Sequence, residues 1–180
     1  VYPYQSYNYR SILKFCVQQS VKITCDCELV KSVLQDEYHY SNDIIVFPWG
    51  INLTQFHPNY EESIRSQHGF SSDHQLLLMI RNFEPVYGVE YFIDAVSQIV
   101  QKISKVRVLL VGSGSLESNL KKQVRDLNLE DYIQFVGYVE NQKLPHYLCD
   151  ADVYVSTSLS DGTSLSLLEA MACRLPLVMT

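Results

Sequence analysis

Val108-Leu109-Leu110-Val111-Gly112-Ser113-Gly114-Ser115, running on into Leu116–Leu127, passes within a few residues from an apolar run through two glycines into a segment of helical period. The run from Val108 to Val111 has no polar alternation, so it does not describe a strand with one wet face. It describes a strand covered on both sides, as a parallel sheet between helices requires. The same grammar repeats outward in both directions. Val21–Cys25, Ile44–Phe47, Leu76–Ile80, Val106–Val111, Tyr132–Val136, Val153–Thr157 and Leu177–Thr180 read as strands. Helix-period segments lie between them, near residues 26–37, 59–68, 88–103, 115–128, 141–148 and 164–173. Strict alternation of this kind predicts an α/β doubly wound, Rossmann-like parallel sheet.

Phe47-Pro48-Trp49-Gly50-Ile51-Asn52 through His57-Pro58 breaks the pattern. Prolines and a glycine bracket a stretch without a clean period, as an inter-domain connection would. Residues 1–57 are therefore read as the end of a first domain plus this connector, and residues 58–180 as a second domain. The chain opens on Val1 rather than Met and stops directly after an apolar run, which reads as a piece of a longer polypeptide.

Of 180 residues, 47% are hydrophobic and 19% charged, with a net charge of -6, so neither a nucleic-acid surface nor an anionic-membrane patch is indicated. Lys121-Lys122 is the one adjacent basic pair, and it reads as a solvated helix face. No apolar run approaches about 18 residues, so no transmembrane helix is expected. The five cysteines are irregularly spaced, and the C-x-C pair Cys25 and Cys27 has no second pair at zinc-site spacing. Reduced structural thiols in a cytoplasmic protein are the expectation, with no metal and no cofactor. The sequon at Asn52-Leu53-Thr54 would matter only in a secreted chain.

Three segments carry chemistry. The turn at Gly112 and Gly114 leads from a strand into a helix, an arrangement that exposes N–H groups to an anion or a ribose. A dinucleotide fingerprint needs a third glycine where Glu117 stands. A plain tight turn and a nucleotide loop of another kind both remain open. The second segment, Asp161-Gly162-Thr163-Ser164-Leu165-Ser166-Leu167-Leu168-Glu169-Ala170-Met171-Ala172, turns through small residues into a helix. Close backbone approach and unpaired N–H donors make it a natural diphosphate seat. Asp161 at its mouth is placed to accept from sugar hydroxyls. Glu169, among apolar neighbours, needs partners, and a ribose diol would supply two donors. The alternatives are a solvent-facing stripe of Ser166, Glu169 and Cys173, and helix caps at Asp161 or Thr163. In the third segment, Arg81-Asn82-Phe83-Glu84-Pro85-Val86-Tyr87-Gly88, Arg81 leaves the C-terminal end of an apolar strand, the edge where open α/β sheets bind ligands. Its guanidinium suits a phosphate fork, and an ion pair with Glu84 or another acid is the alternative.

Taken in order, these residues resemble the retaining glycosyltransferases of GT-B fold in the large group 1 family, family four. Pro48-Trp49-Gly50-Ile51-Asn52 with Phe56-His57-Pro58 is similar to that family's connector between its two domains. Arg81 through Gly88 resembles its donor loop, and Gly112-Ser113-Gly114 and Phe135-Val136-Gly137-Tyr138 its βα turn and following strand. Asp161 and Glu169, with Ala170-Met171-Ala172, resemble its signature of two glutamates separated by seven residues.

The resemblance implies a hexosyltransferase-type enzyme of glycan biosynthesis that passes a sugar from a nucleotide sugar to an acceptor hydroxyl with retention. It implies that Arg81 contacts the diphosphate, Asp161 orients the sugar and Glu169 binds the ribose. Backbone amides of Gly162, Thr163, Ser164 and Leu165 would hold phosphate or sugar oxygens, Gly112 and Gly114 would line the donor site, and Tyr138 would lie near the base. The acceptor would be a glycan, a lipid or a small molecule. Any membrane contact would be peripheral, at the inner face, through parts preceding Val1. Without those parts the piece is expected to be inactive in transfer. Asp161 stands for a glutamate, Tyr87 for a phosphate-binding lysine and Asn52 for an aspartate in the family pattern. The competing readings are a nucleotide-sugar epimerase of similar fold, a non-catalytic nucleotide-sugar binder and an NAD enzyme.

Overall fold

The computed structural model describes residues 7–60 and 63–180. The described residues divide into two compact units: those within 7–50 with 162–164, and those within 51–161 with 165–180. In the first, helix α1 (Tyr7–Gln19) precedes strand β1 (Ile23–Cys25), helix α2 (Glu28–Asp36) and strand β2 (Ile44–Val46). β1 and β2 run parallel, with Ile23 opposite Ile44. Buried Tyr40 donates its hydroxyl to the Ser20 carbonyl at 3.1 Å.

The second unit holds strands β3 (Gln75–Ile80), β4 (Val106–Val111), β5 (Ile133–Gly137), β6 (Val153–Ser156) and β7 (Leu177–Met179). Helices α3 (Val89–Ile99), α4 (Glu117–Asp126), α5 (Leu144–Asp150) and α6 (Leu165–Ala172) connect them. The spatial order is β5-β4-β3-β6-β7, every pair parallel. Alternate residues of β3, β4 and β6 enter opposite cores, which accounts for their unbroken apolar runs. Met79, Val108 and Leu110 pack with Phe92, Ile93 and Val96 of α3 and Leu120 and Val124 of α4. Leu76, Leu78, Leu109 and Val111 pack with Leu144 and Leu148 of α5 and Ala170 of α6. The apolar face of α3 follows the helical period (Val89, Phe92, Ile93, Val96).

Chain order doubles back after β5: β4 and β5 are laid down on one side of β3, β6 and β7 on the other. The crevice between the C-terminal ends of β3 and β6 is thus the topological switch point, where open α/β sheets bind ligands.

Two local expectations change. Helix α1 was not read from the sequence. The helix expected over 59–68 does not form among the described residues, since 59, 60 and 63 have no regular structure, 64 is a bend, 65–68 lie in turns and 61–62 fall outside the description. Arg65 explains this, because its backbone N–H donates to Asp150 Oδ2 at 2.9 Å rather than to a helical carbonyl. Its guanidinium donates to the Asp150 and His74 carbonyls and pairs with Asp152 at 2.9 Å. Gly69, at φ 71, then turns the chain into β3.

Candidate functional site

Arg81 follows β3 directly and its N–H still pairs with the Val111 carbonyl at 3.0 Å, so the sheet fixes its backbone. The side chain is only 9% exposed. Nη1 donates to Ser166 Oγ at 2.7 Å, and Nη2 donates to Ser156 Oγ at 3.1 Å. Nη2 also forms an ion pair with Asp161 Oδ2 at 2.9 Å. The Tyr87 ring lies against the guanidinium, its centroid 5.6 Å from Cζ. Residues from the ends of β3 and β6 and from α6 therefore meet on one cation at the switch point. The acid that pairs with Arg81 is Asp161, not Glu84.

Glu84 does something else. Its carboxylate accepts from Ser115 N–H at 2.8 Å and from Ser115 Oγ–H at 2.6 Å, which holds its pKa below the ordinary range. These bonds belong to a wider closure of the Gly112–Gly114 turn. Gly112 N–H donates to the Gly137 carbonyl at 2.8 Å, and Leu116 N–H to the Phe83 carbonyl at 2.9 Å. The protein itself thus engages the Gly112, Ser115 and Leu116 amides. The glycines have a packing cause. Gly112 sits at φ 136, where a Cβ would run into the Arg81 carbonyl oxygen, and a Cβ on Gly114 would meet the Phe83 carbonyl oxygen at 2.5 Å. Their bareness lets the Arg81–Phe83 backbone lie on the turn.

Glu169 is 8% exposed, Ser166 9% and Cys173 5%, so the three do not form a solvent-facing stripe. Burial pushes the Glu169 carboxyl above the ordinary glutamate range, and a hydrogen bond from the Asn141 side chain opposes the shift. Gln55 Nε2 donates to Asn141 Oδ1 at 2.7 Å, which turns the Asn141 amide nitrogen toward the carboxylate. The sequence reading named neither Asn141 nor Gln55. An isolated carboxylate on an apolar helix was signal enough to look for such a donor, but a donor 28 positions earlier in the chain has no local signature.

Gly162, Thr163 and Ser164 group with the first unit. There Thr163 N–H donates to Asp26 Oδ2 at 2.8 Å, which lowers the Asp26 pKa. Leu165 and Tyr138 are exposed. Among the described residues, no group of three or more His, Cys, Asp or Glu is placed to hold a metal ion. No described helix is long and apolar enough to cross a membrane.

Residues 61–180 match the family described as glycosyl transferases group 1, and the chain belongs to it. Alpha-monoglucosyldiacylglycerol synthase of Streptococcus pneumoniae is 26% identical over 161 residues, covering 87% of this chain and 36% of the relative. N-acetyl-alpha-D-glucosaminyl L-malate synthase of Bacillus anthracis is 27% identical, with 94% and 44% covered. The chain thus spans less than half the length of these curated relatives. Among solved structures, sucrose-phosphate synthase of Thermosynechococcus elongatus superposes with a TM-score of 0.86 at 24% identity, covering 99% of this chain and 45% of that one. HepE of Anabaena in complex with UDP-glucose superposes at 0.82 and 18% identity, covering 97% of this chain and 49% of that one. The fold is that of GT-B glycosyltransferases.

Proposed function

We propose that the second unit is the donor-binding part of a glycosyltransferase that transfers a hexose from a nucleotide sugar, with retention, to the hydroxyl of a glycan, lipid or small molecule. The observation that carries this reading is the meeting of Arg81, Asp161 and Ser166 at the switch-point crevice, with Ser166 on the helix that also bears buried Glu169. In this reading Arg81 is the cation that stabilises charge developing on the departing diphosphate, an effect made large by a fixed, partly dry setting. Asp161 then exchanges its contact with Arg81 for the hydroxyls of the transferred sugar. Glu169, pushed toward its neutral form by burial, gains in its ionised form from two ribose hydroxyl donors. Tyr138 is assigned to the base, and the amides of Gly162–Leu165 to phosphate or sugar oxygens, by the family resemblance, the Thr163 N–H exchanging the Asp26 carboxylate for such an oxygen. Gly112 and Gly114 serve the site by seating the Arg81–Phe83 backbone. Residues 1–57 are assigned to the acceptor-side domain and connector, and residues 58–180 to the donor domain. No bound metal takes part.

The test is calorimetric titration of the full-length protein with UDP-, GDP-, ADP- and dTDP-sugars, followed by transfer assays with the tightest binder. One donor class should bind and be turned over, undiminished by a chelator, to a product that keeps the donor's anomeric configuration by NMR. Absence of binding to all four classes would contradict the reading.

A further inference from the structure

Arg81 is also held through groups that do not touch it directly. Tyr154 lies in the middle of β6 and is fully buried, where a phenol hydroxyl needs a partner. It donates to Ser166 Oγ at 2.8 Å and lies 3.3 Å from the Ile80 carbonyl, so the shorter contact holds its single proton. The same Ser166 oxygen accepts from Arg81 Nη1 at 2.7 Å. Two elements that flank the crevice, β6 and α6, are thereby tied to one edge of the guanidinium.

We propose that Ser166 and Tyr154 are positioning residues for Arg81: Ser166 fixes the Nη1 edge of the guanidinium, and Tyr154 fixes Ser166. This rests on the reading of Arg81 as the diphosphate ligand. The chemistry of the two anchors matters. Asp161 neutralises Arg81 as it holds it, whereas a hydroxyl orients the fork and leaves the positive charge whole. When Asp161 turns to a sugar, the Nη1 anchor keeps the fork aimed, so a flexible side chain need not be ordered during the reaction. Tyr87 gives this added weight. It occupies the place of the family's second phosphate-binding cation and packs on the face of Arg81 instead, leaving one cation to orient in this loop.

The experiment is a double-mutant cycle in the active full-length enzyme with Ser166→Ala, Tyr154→Phe and both together, reading donor kcat and KM separately. Ser166→Ala should lower kcat about tenfold or more, the size of one hydrogen bond to a charged group, with donor KM changed much less. Tyr154→Phe keeps the buried ring and should lower kcat less. In the Ser166→Ala background it should have no further effect, because its action runs through Ser166. Ser166→Thr, which retains the hydroxyl, should recover most of the kcat. Melting temperatures measured alongside separate loss of fold from loss of aim. Strict additivity of the two variants, or a change in KM and melting temperature with kcat intact, would overturn the positioning role. Arg81→Ala is run in parallel: normal turnover there would overturn the donor-site reading itself, whereas steep loss there with additive Ser166 and Tyr154 effects would overturn only this inference.

Discussion

The turn after β4 and the step from β6 into α6 look alike as text, since each runs from an apolar strand through small residues into a helix. They differ in what gathers around them. At Gly112–Gly114 the missing side chains make room for the Arg81–Phe83 backbone, and Glu84 and neighbouring carbonyls take up the Gly112, Ser115 and Leu116 N–H groups. At the second place charge gathers: Arg81 and Asp161 pair at 2.9 Å, and Glu169 is buried one turn beyond Ser166. A glycine-rich turn therefore does not by itself mark a ligand site. Burial of ionisable groups that have exchangeable partners is the better marker.

Four substitutions probe the difference. The largest effect belongs to Arg81→Ala, which should lower turnover about 10²–10³-fold, the usual result of removing a group aimed at developing charge. Arg81→Lys should not restore it, because the ammonium cannot reproduce the fork held by Ser156 and Ser166. Steady-state kinetics decides the matter, and near-normal turnover in the lysine variant contradicts the assignment.

Gly112→Ala should act on stability rather than chemistry. A Cβ at φ 136 is strained and meets the Arg81 carbonyl, so a loss of about 3 kcal/mol is expected by denaturant unfolding. An unchanged midpoint would return the turn to the ligand-loop reading.

Glu169→Gln should show the reverse signature. Nucleotide affinity should fall by roughly 1.5–3 kcal/mol as a charged acceptor is lost, measured by calorimetry. Stability should hold or rise at neutral pH, and the sign follows from linkage. The folded pKa is raised above the ordinary 4.5, so the stabilising contribution is present below that value and is lost as pH rises through the folded pKa. At pH 7 the ionised carboxylate is thus a burden that the amide removes. In the wild type, nucleotide binding should weaken as pH falls through the raised value. Equal affinity in the glutamine variant would separate Glu169 from the ribose.

The smallest effect concerns the packed side of α6. Burial pushes the Cys173 thiol up to about 12 and also raises Cys149. Both should alkylate far more slowly at pH 8 than exposed Cys16 in the native protein, as mass spectrometry of labelled peptides would record. Rapid labelling of Cys173 would restore the solvent-stripe reading of this face.

The parallel sheet was legible because its central strands, β3 and β4, are covered on both faces, which leaves the plainest of patterns, an apolar run between helices. Residues 59–68 misled because their periodicity is real, yet Arg65 is recruited by Asp150 and Asp152, some 85 residues away. The charged members of the site were visible in the sequence, Arg81 at a strand end, Asp161 at the mouth of a turn into a helix and Glu169 as a lone carboxylate inside an apolar helix. Their supports were not. Tyr154 reads as one more apolar strand residue and Asn141 as one more loop amide, until folding shows what their polar ends touch.

The proposed placement of the donor at the β3–β6 crevice, and not on the β4 turn, can be tested apart from any transfer assay. Its most direct test is amide chemical-shift mapping with whichever of UDP, GDP, ADP and dTDP binds in calorimetry. The largest shifts should fall at Arg81, Asp161 and Leu165–Glu169, with Gly112–Ser115 nearly still. Shifts centred on Gly112–Ser115, with α6 unmoved, would contradict it.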